Sequence, residues 1–321
     1  MDPKRLEMIA EVARLYYEEE MNVKDIANIF ETSPSSVSRI LQEAKELKIV
    51  QVVIRYPFLN VPSLAQQLCQ HLGLKEAYVL PDFKGSYADL MERVGKLAAR
   101  VLEEHLESGM TLGVSLGLAV VNTARAFTVT REMNCTVVRL HGANDNEIEE
   151  GRNLAQIFST QMGNQFKIIP CPFVLQSRET CEMFMREPSI REMIRIAQES
   201  DVALVGLGSL NPNYSTILRN QLLSKKELQE LGDNGAVGEI CGVYYGAEGN
   251  VLDVEFNHRI VAIDLEKLRS MKHVIGVAAG AAKIEPILGA ATGKLINILV
   301  TDSETAKMLI SRTEPTKKTE S

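Results

Sequence analysis

The five cysteines, Cys69, Cys135, Cys171, Cys181 and Cys241, include no CxxC pair. An odd number of thiols, with no signal peptide in the charged, amphipathic start MDPKRLEMIAEVARLYY, predicts reduced cysteines in a cytoplasm. Neither a structural disulfide nor a zinc site is expected. No apolar run approaches the ~20 residues that cross a bilayer, so a membrane is not among the expected partners. His71, His105, His141, His258 and His273 show no metal-ligand spacing, and no GxGxxG is followed by an acidic partner. The chain therefore predicts neither a metal nor a cofactor, and it contains no evident pair of nucleophile and base.

Positive charge is scarce as well. The 321 residues carry 35 Lys and Arg against 42 Asp and Glu, a formal net charge of −7. Residues 1–56 hold eight cations (Lys4, Arg5, Arg14, Lys24, Arg39, Lys45, Lys48, Arg55) against ten acids. A nucleic-acid reader in this segment must therefore rely on the placement of a few cations, with serine hydroxyls and backbone donors supplying the remaining phosphate contacts.

Such a placement is written in residues 22–40, NVKDIANIFETSPSSVSRI. Ser33 followed by Pro34 starts a helix, because the hydroxyl can accept from a free backbone N–H and proline has none to leave unpaired. At about 100° per residue, Val37, Ile40, Leu41, Ala44 and Leu47 fall on one face. Ser35, Ser38, Arg39 and Gln42 fall on the opposite face. An earlier helix at about 23–30 adds Ile26 and Phe30, with small Ala27 at the crossing. Two short helices joined by a tight turn make a helix-turn-helix, and the polar face of the second suits base edges and phosphates in a major groove. Ser33, Ser35, Ser36, Ser38, Arg39 and Gln42 are the candidate DNA-binding residues. A plain helical hairpin would share the apolar spacing. Glu31 occupies the turn position often taken by glycine, and a positive φ there costs on the order of 1 kcal/mol.

The length predicts about two domains of roughly 150 residues. IVQVVIRYP (49–57) reads as a strand or small hairpin closing a first domain, 1–56. From residue 57 to 311, short apolar runs alternate with helical stretches. The runs are AYVL (77–80), TLGV (111–114), TVVRL (136–140), KIIP (167–170), VALVGLG (202–208), RIVAI (259–263), HVIGVA (273–278) and LINILVT (295–301). The helices are expected at about 88–107, 118–127, 148–162, 189–199, 224–231, 265–270, 283–292 and 303–311. This alternation predicts an α/β domain with a mostly parallel sheet covered on both faces. The tail 312–321 is polar, lacks periodicity and is expected to be disordered.

Ligands of such sheets sit beyond the carboxyl ends of the strands. Glycines gather there in GVSLG (113–117), HGA (141–143), GLGSL (206–210), GAVG (235–238) and VAAGAAK (277–283). Backbone N–H groups at helix heads favour an anion such as phosphate. Ser115 stands at the mouth of one helix, and Lys283 at the start of another could reach a bound phosphate.

The order of the pieces resembles the SorC family of sugar-binding bacterial transcriptional regulators over nearly the whole chain. The front, LYYEEEMNVKDIANIFETSPSSVSRILQEAKELKIVQVVI, is followed by GMTLGVSLGLAV, DVALVGLGSL, GAVGEICGVYYGAEGNVLD, VIGVAAGAAKIEPILGA and LINILVTDSETA. The resemblance implies a DNA-binding domain fused to an effector domain similar in fold to sugar-phosphate isomerases and deaminases. It further implies operator DNA and a phosphorylated sugar as partners, and a homo-oligomer, dimer or tetramer. The ligand would be surrounded by Gly113, Ser115, Leu116 and Gly117, by His141 and Gly142, and by Gly208, Glu239, Gly280 and Lys283. Two alternatives stay open at this point: an isomerase-like enzyme using Glu239 or Asp302 as proton carrier, and a protein-interaction scaffold.

Overall fold

The computed structural model describes residues 3–47, 49–50, 60–143, 154–163 and 165–313. The chain divides into two compact units, Met1–Pro57 and Phe58–Ser321. In the first, α1 (Pro3–Tyr17), α2 (Val23–Ile29) and α3 (Pro34–Glu46) enclose Ile9, Val12, Ile26, Ala27, Val37, Ile40, Leu41 and Ala44. Local caps fix the helix starts. The Asn22 side chain accepts from Lys24 N and Asp25 N, and Ser33 accepts from Ser36 N with Pro34 at the first helical position. Glu31 does adopt a positive φ, +49°. Leu47 departs from the expected stripe. It is the residue that caps α3, beyond the last helical turn, and is 39% exposed. Of the strand expected at 49–57, Ile49 and Val50 form a bend and the rest lies outside the described residues.

The second unit opens with α4 (Pro62–Leu72), then alternates β1 (Glu76–Leu80), α5 (Tyr87–His105), β2 (Thr111–Val114), α6 (Leu118–Ala126) and β3 (Thr136–Ala143). It continues through α7 (Leu154–Gln161), β4 (Gln165–Pro172), α8 (Arg178–Arg186), α9 (Pro188–Gln198) and β5 (Val202–Gly206). Two short helices, α10 (Thr216–Arg219) and α11 (Lys225–Asp233), lead to a hairpin of β6 (Gly238–Ile240) and β7 (Val243–Tyr245). After α12 (Glu255–His258) and α13 (Leu265–Leu268) come β8 (His273–Val277), a 3₁₀ turn at Ala281–Lys283, α14 (Ile284–Thr292), β9 (Ile298–Asp302) and α15 (Ser303–Thr313).

Seven strands form one all-parallel sheet in the order β1-β9-β8-β5-β2-β3-β4. Apolar cores fill both of its faces. α5, α6 and α7 close one, around Leu102, Leu112, Val120 and Phe158. α4, α14, α15 and the hairpin close most of the other, around Leu68, Ile240, Ile287 and Leu309. Strands buried on both sides read as continuous apolar runs, and burial of their side chains at ~25 cal/mol per Å² dominates the stability of such a layer. Among the described residues no helix is long and apolar enough to cross a membrane.

Three expectations need correction. RIVAI (259–263) is not one of the seven strands of the sheet. The segment instead makes isolated antiparallel bridges, Ile260 to Val174 and Ala262 to His141. HGA lies within β3 itself rather than beyond its carboxyl end. The last helix extends through Thr313, taking Arg312 and Thr313 out of the expected tail, while 314–321 lie outside the described residues, as do 148–153 of the expected helix at 148–162.

Candidate functional site

Beyond the carboxyl ends of β2, β5 and β8 lies a cavity of about 130 Å³. The turn after β2 delivers Leu116 and Gly117 to it, and Gly117 (φ +149°, a value few side-chain-bearing residues adopt) heads α6. The backbone N–H groups of the first turn of α6 are the ones a helix leaves without intrahelical partners. After β5 the chain brings Gly208 to the wall, and the segment into α10 adds Tyr214, Thr216 and Arg219. Tyr87, at the start of α5, meets Tyr214 edge to face, with ring centroids 4.9 Å apart.

Glu239 and Lys283 supply the deepest charges. β6 crosses the end of β5, so that Gly208 N donates to Glu239 O at 2.9 Å. Glu239 Oε2 accepts from Gly242 N at 2.7 Å, while Oε1 lies 1.9 Å from where a Cβ on residue 208 would stand. Only glycine leaves room for this carboxyl. The 3₁₀ turn after β8 buries Lys283, whose Nζ donates to Leu207 O at 2.8 Å. Burial pushes the Glu239 carboxyl up to about 7, against the pull of the Gly242 N–H and of Lys283. Burial likewise pushes the Lys283 ammonium down to about 8, with Glu239 opposing the shift.

The sign of the resulting stability change follows. A carboxyl raised from 4.5 to about 7 contributes stability that is complete below about 4.5 and lost as pH rises through about 7. Glu239→Gln should therefore unfold at higher urea than wild type at pH 8, and the difference should close by pH 5. An equal difference at both pH values would show that Glu239 is not held neutral by its site.

The expected effector residues thus divide. Leu116, Gly117, Gly208, Glu239 and Lys283 line one cavity. Gly113, Ser115, His141, Gly142 and Gly280 are not in its lining. Gly113 lies within β2, where a Cβ would press on Leu140 and Ser200. Ser115 is buried, and its Oγ accepts from Gly206 N at 3.0 Å, tying the end of β2 to that of β5. Gly142 lets β3 approach β4, since a Cβ would stand 2.6 Å from Cys171 O. His141 is buried against Phe173, with Nδ1 2.8 Å from Gly142 O. Burial first, and Arg139 second, hold its imidazole well below the usual range. Gly280 N donates to Asp302 and Thr305.

Sequence reasoning missed Tyr87, Tyr214, Thr216 and Arg219. The only local signal was Ser215, which caps α10, and a four-residue helix is too short to show periodicity.

In the first unit, the outer face of α3 is as drawn from the sequence. Ser33, Ser35, Ser38, Arg39 and Gln42 are exposed and Ser36 is half-buried. The hydroxyls of Ser35 and Ser36 lie 2.8 and 2.9 Å from Ser33 Oγ, and Ser38 donates to Pro34 O. The basic residues sort by position. Arg5 pairs with Glu43, and Arg14 with Glu11 and Glu19; Lys24 on α2 and Arg39 and Lys45 on α3 are exposed as well.

Residues 56–311 match the family described as "Putative sugar-binding domain". Along almost its full length the chain is 28% identical to the deoxyribonucleoside regulator of Bacillus subtilis, over 97% of this chain and 99% of that protein. The chain belongs to the SorC family of sugar-binding transcriptional regulators. The transcriptional regulator LsrR of Enterobacter sp. is 30% identical to this SorC-family chain, over 95% of it and 93% of the relative. The crystal structure of the full-length sorbitol operon regulator SorC from Klebsiella pneumoniae superposes with a TM-score of 0.70 at 28% identity, covering 95% of this chain and 98% of that one. These relatives are regulators of transcription, not enzymes, and the match includes the helical first unit. SorC-family membership therefore sets aside the isomerase-like alternative.

Proposed function

We propose that the chain is an effector-responsive repressor or activator that holds operator DNA through α3 and binds a phosphorylated sugar in the cavity beyond β2, β5 and β8. One observation carries this reading: the head of α6, Lys283 and Arg219 all line a single small cavity. Helix-head N–H groups and two cations suit a phosphate, while Glu239 and Thr216 suit hydroxyls. In the first unit, Ser33, Ser35, Ser36, Ser38, Arg39 and Gln42 are the operator-facing group. With so few cations each α3 binds weakly, so useful affinity calls for two or more copies joined through residues beyond Tyr56.

The test is calorimetry of the full chain with a panel of phosphorylated sugars and their free counterparts, beside operator binding with and without each. A phosphorylated sugar should bind, raise the melting temperature by mass action and change operator affinity. Its free counterpart should do far less. Equal binding of free and phosphorylated forms would contradict the phosphate cradle. Operator binding that no ligand alters would favour a scaffold.

A further inference from the structure

We infer that Glu239 makes occupancy of the cavity proton-linked: when an anion enters beside Lys283, the Glu239 carboxylate takes up one proton from solvent, so the anion binds more tightly in mildly acidic medium. The inference rests on the cavity being the anion site proposed above.

The geometry leaves the carboxyl no retreat. Oε2 is tied to Gly242 N at 2.7 Å, and Oε1 lies against the Cα of Gly208. Lys283 is held on the same cavity by its bond to Leu207 O. A carboxylate fixed on the wall of a small cavity repels any anion that enters, and burial of the two groups strengthens that repulsion. Protonation removes it and leaves Lys283 free to serve the anion alone.

Apart from the small share of Lys283, no group described around Glu239 takes the proton near neutrality. Glu239 is met by Cys241 in its own turn and by Tyr244 and Tyr245 on β7, all pushed up by burial and therefore neutral. Arg139 on β3 acts on Cys241 from behind, and Arg219 acts on Lys283 from α10. His141 is held well below its usual range and stays neutral. Glu239, at about 7, is therefore half-ionised at pH 7, whereas Lys283, at about 8, is already mostly charged.

Sulfate is the probe, because it keeps both charges between pH 6 and 8 and any proton taken up must come to the protein. Calorimetry of the full chain at pH 7.0, in two buffers of different ionisation heat, should show uptake of about half a proton per sulfate bound. Kd should rise about ten- to twentyfold from pH 6 to 8. In Glu239→Gln the part of the uptake that Glu239 supplies should disappear, leaving only the share of Lys283. Sulfate binding without proton uptake in wild type would overturn the linkage while leaving the anion site standing, as would uptake undiminished in Glu239→Gln. No sulfate binding at any pH would overturn the anion site and the linkage with it.

Discussion

Lys283→Met should weaken the best phosphorylated sugar of the panel by about ten- to a hundredfold while ligand-free operator affinity stays unchanged. The figure corresponds to a charge-assisted hydrogen bond of roughly 1.5–3 kcal/mol. Methionine keeps most of the buried side-chain volume, so the loss falls on the ammonium rather than on packing. The substitution touches none of the proposed operator contacts, because α3 belongs to the other unit of the chain. Response should fail together with binding: at a concentration that shifts wild-type operator affinity, the variant should remain in its ligand-free state. Calorimetry and fluorescence anisotropy on labelled operator check both halves. Equal sugar affinity in the two proteins would remove Lys283 from the site.

Arg39→Ala should cost about 1–3 kcal/mol of operator binding, the range of a two-point contact to guanine or of a close phosphate contact. The side chain is exposed and lies outside the apolar core of α3, so helix content and melting temperature should hold. Its weight is large because Arg5 and Arg14 are engaged with Glu43, Glu11 and Glu19 in the same unit. A change confined to one operator position would mark a base contact. A uniform loss with a shallower salt dependence would mark a phosphate contact. Unchanged operator affinity in a folded variant would move the interface off α3.

Much of the fold is legible in the sequence because its causes are local. Ser33 and Pro34 start α3 through bonds that span three residues, and the alternation of buried runs with amphipathic stretches gives strand-helix-strand units whose parallel pairing follows from the crossovers. RIVAI fails for a non-local reason. It has the composition of a strand, but it meets the end of β3 and the segment after β4 only through isolated antiparallel bridges, not a continuous ladder. Leu47 fails because the helix ends one residue before it, and spacing alone does not reveal where a helix stops.

The site divides along the same line. Glycine at a strand end looks alike in sequence whether it frees a cavity-facing backbone, as Gly117 does, or lets two strands approach, as Gly142 does. Ser115 and Lys283 each read as a polar group at a helix head, yet Ser115 is turned into the joint between β2 and β5 while Lys283 lines the cavity. The sequence by itself determined the polar face of α3, the α/β alternation and the family, because caps, periodicity and motif order are properties of neighbouring residues. Only the tertiary structure decided that Glu239 and Lys283 share one enclosure with Tyr87, Tyr214 and Arg219. That juxtaposition depends on the order of β2, β5 and β8 and on β6 crossing the end of β5. Burial then sets the charge of each group, and burial is a property of the whole packed layer rather than of any segment of the chain.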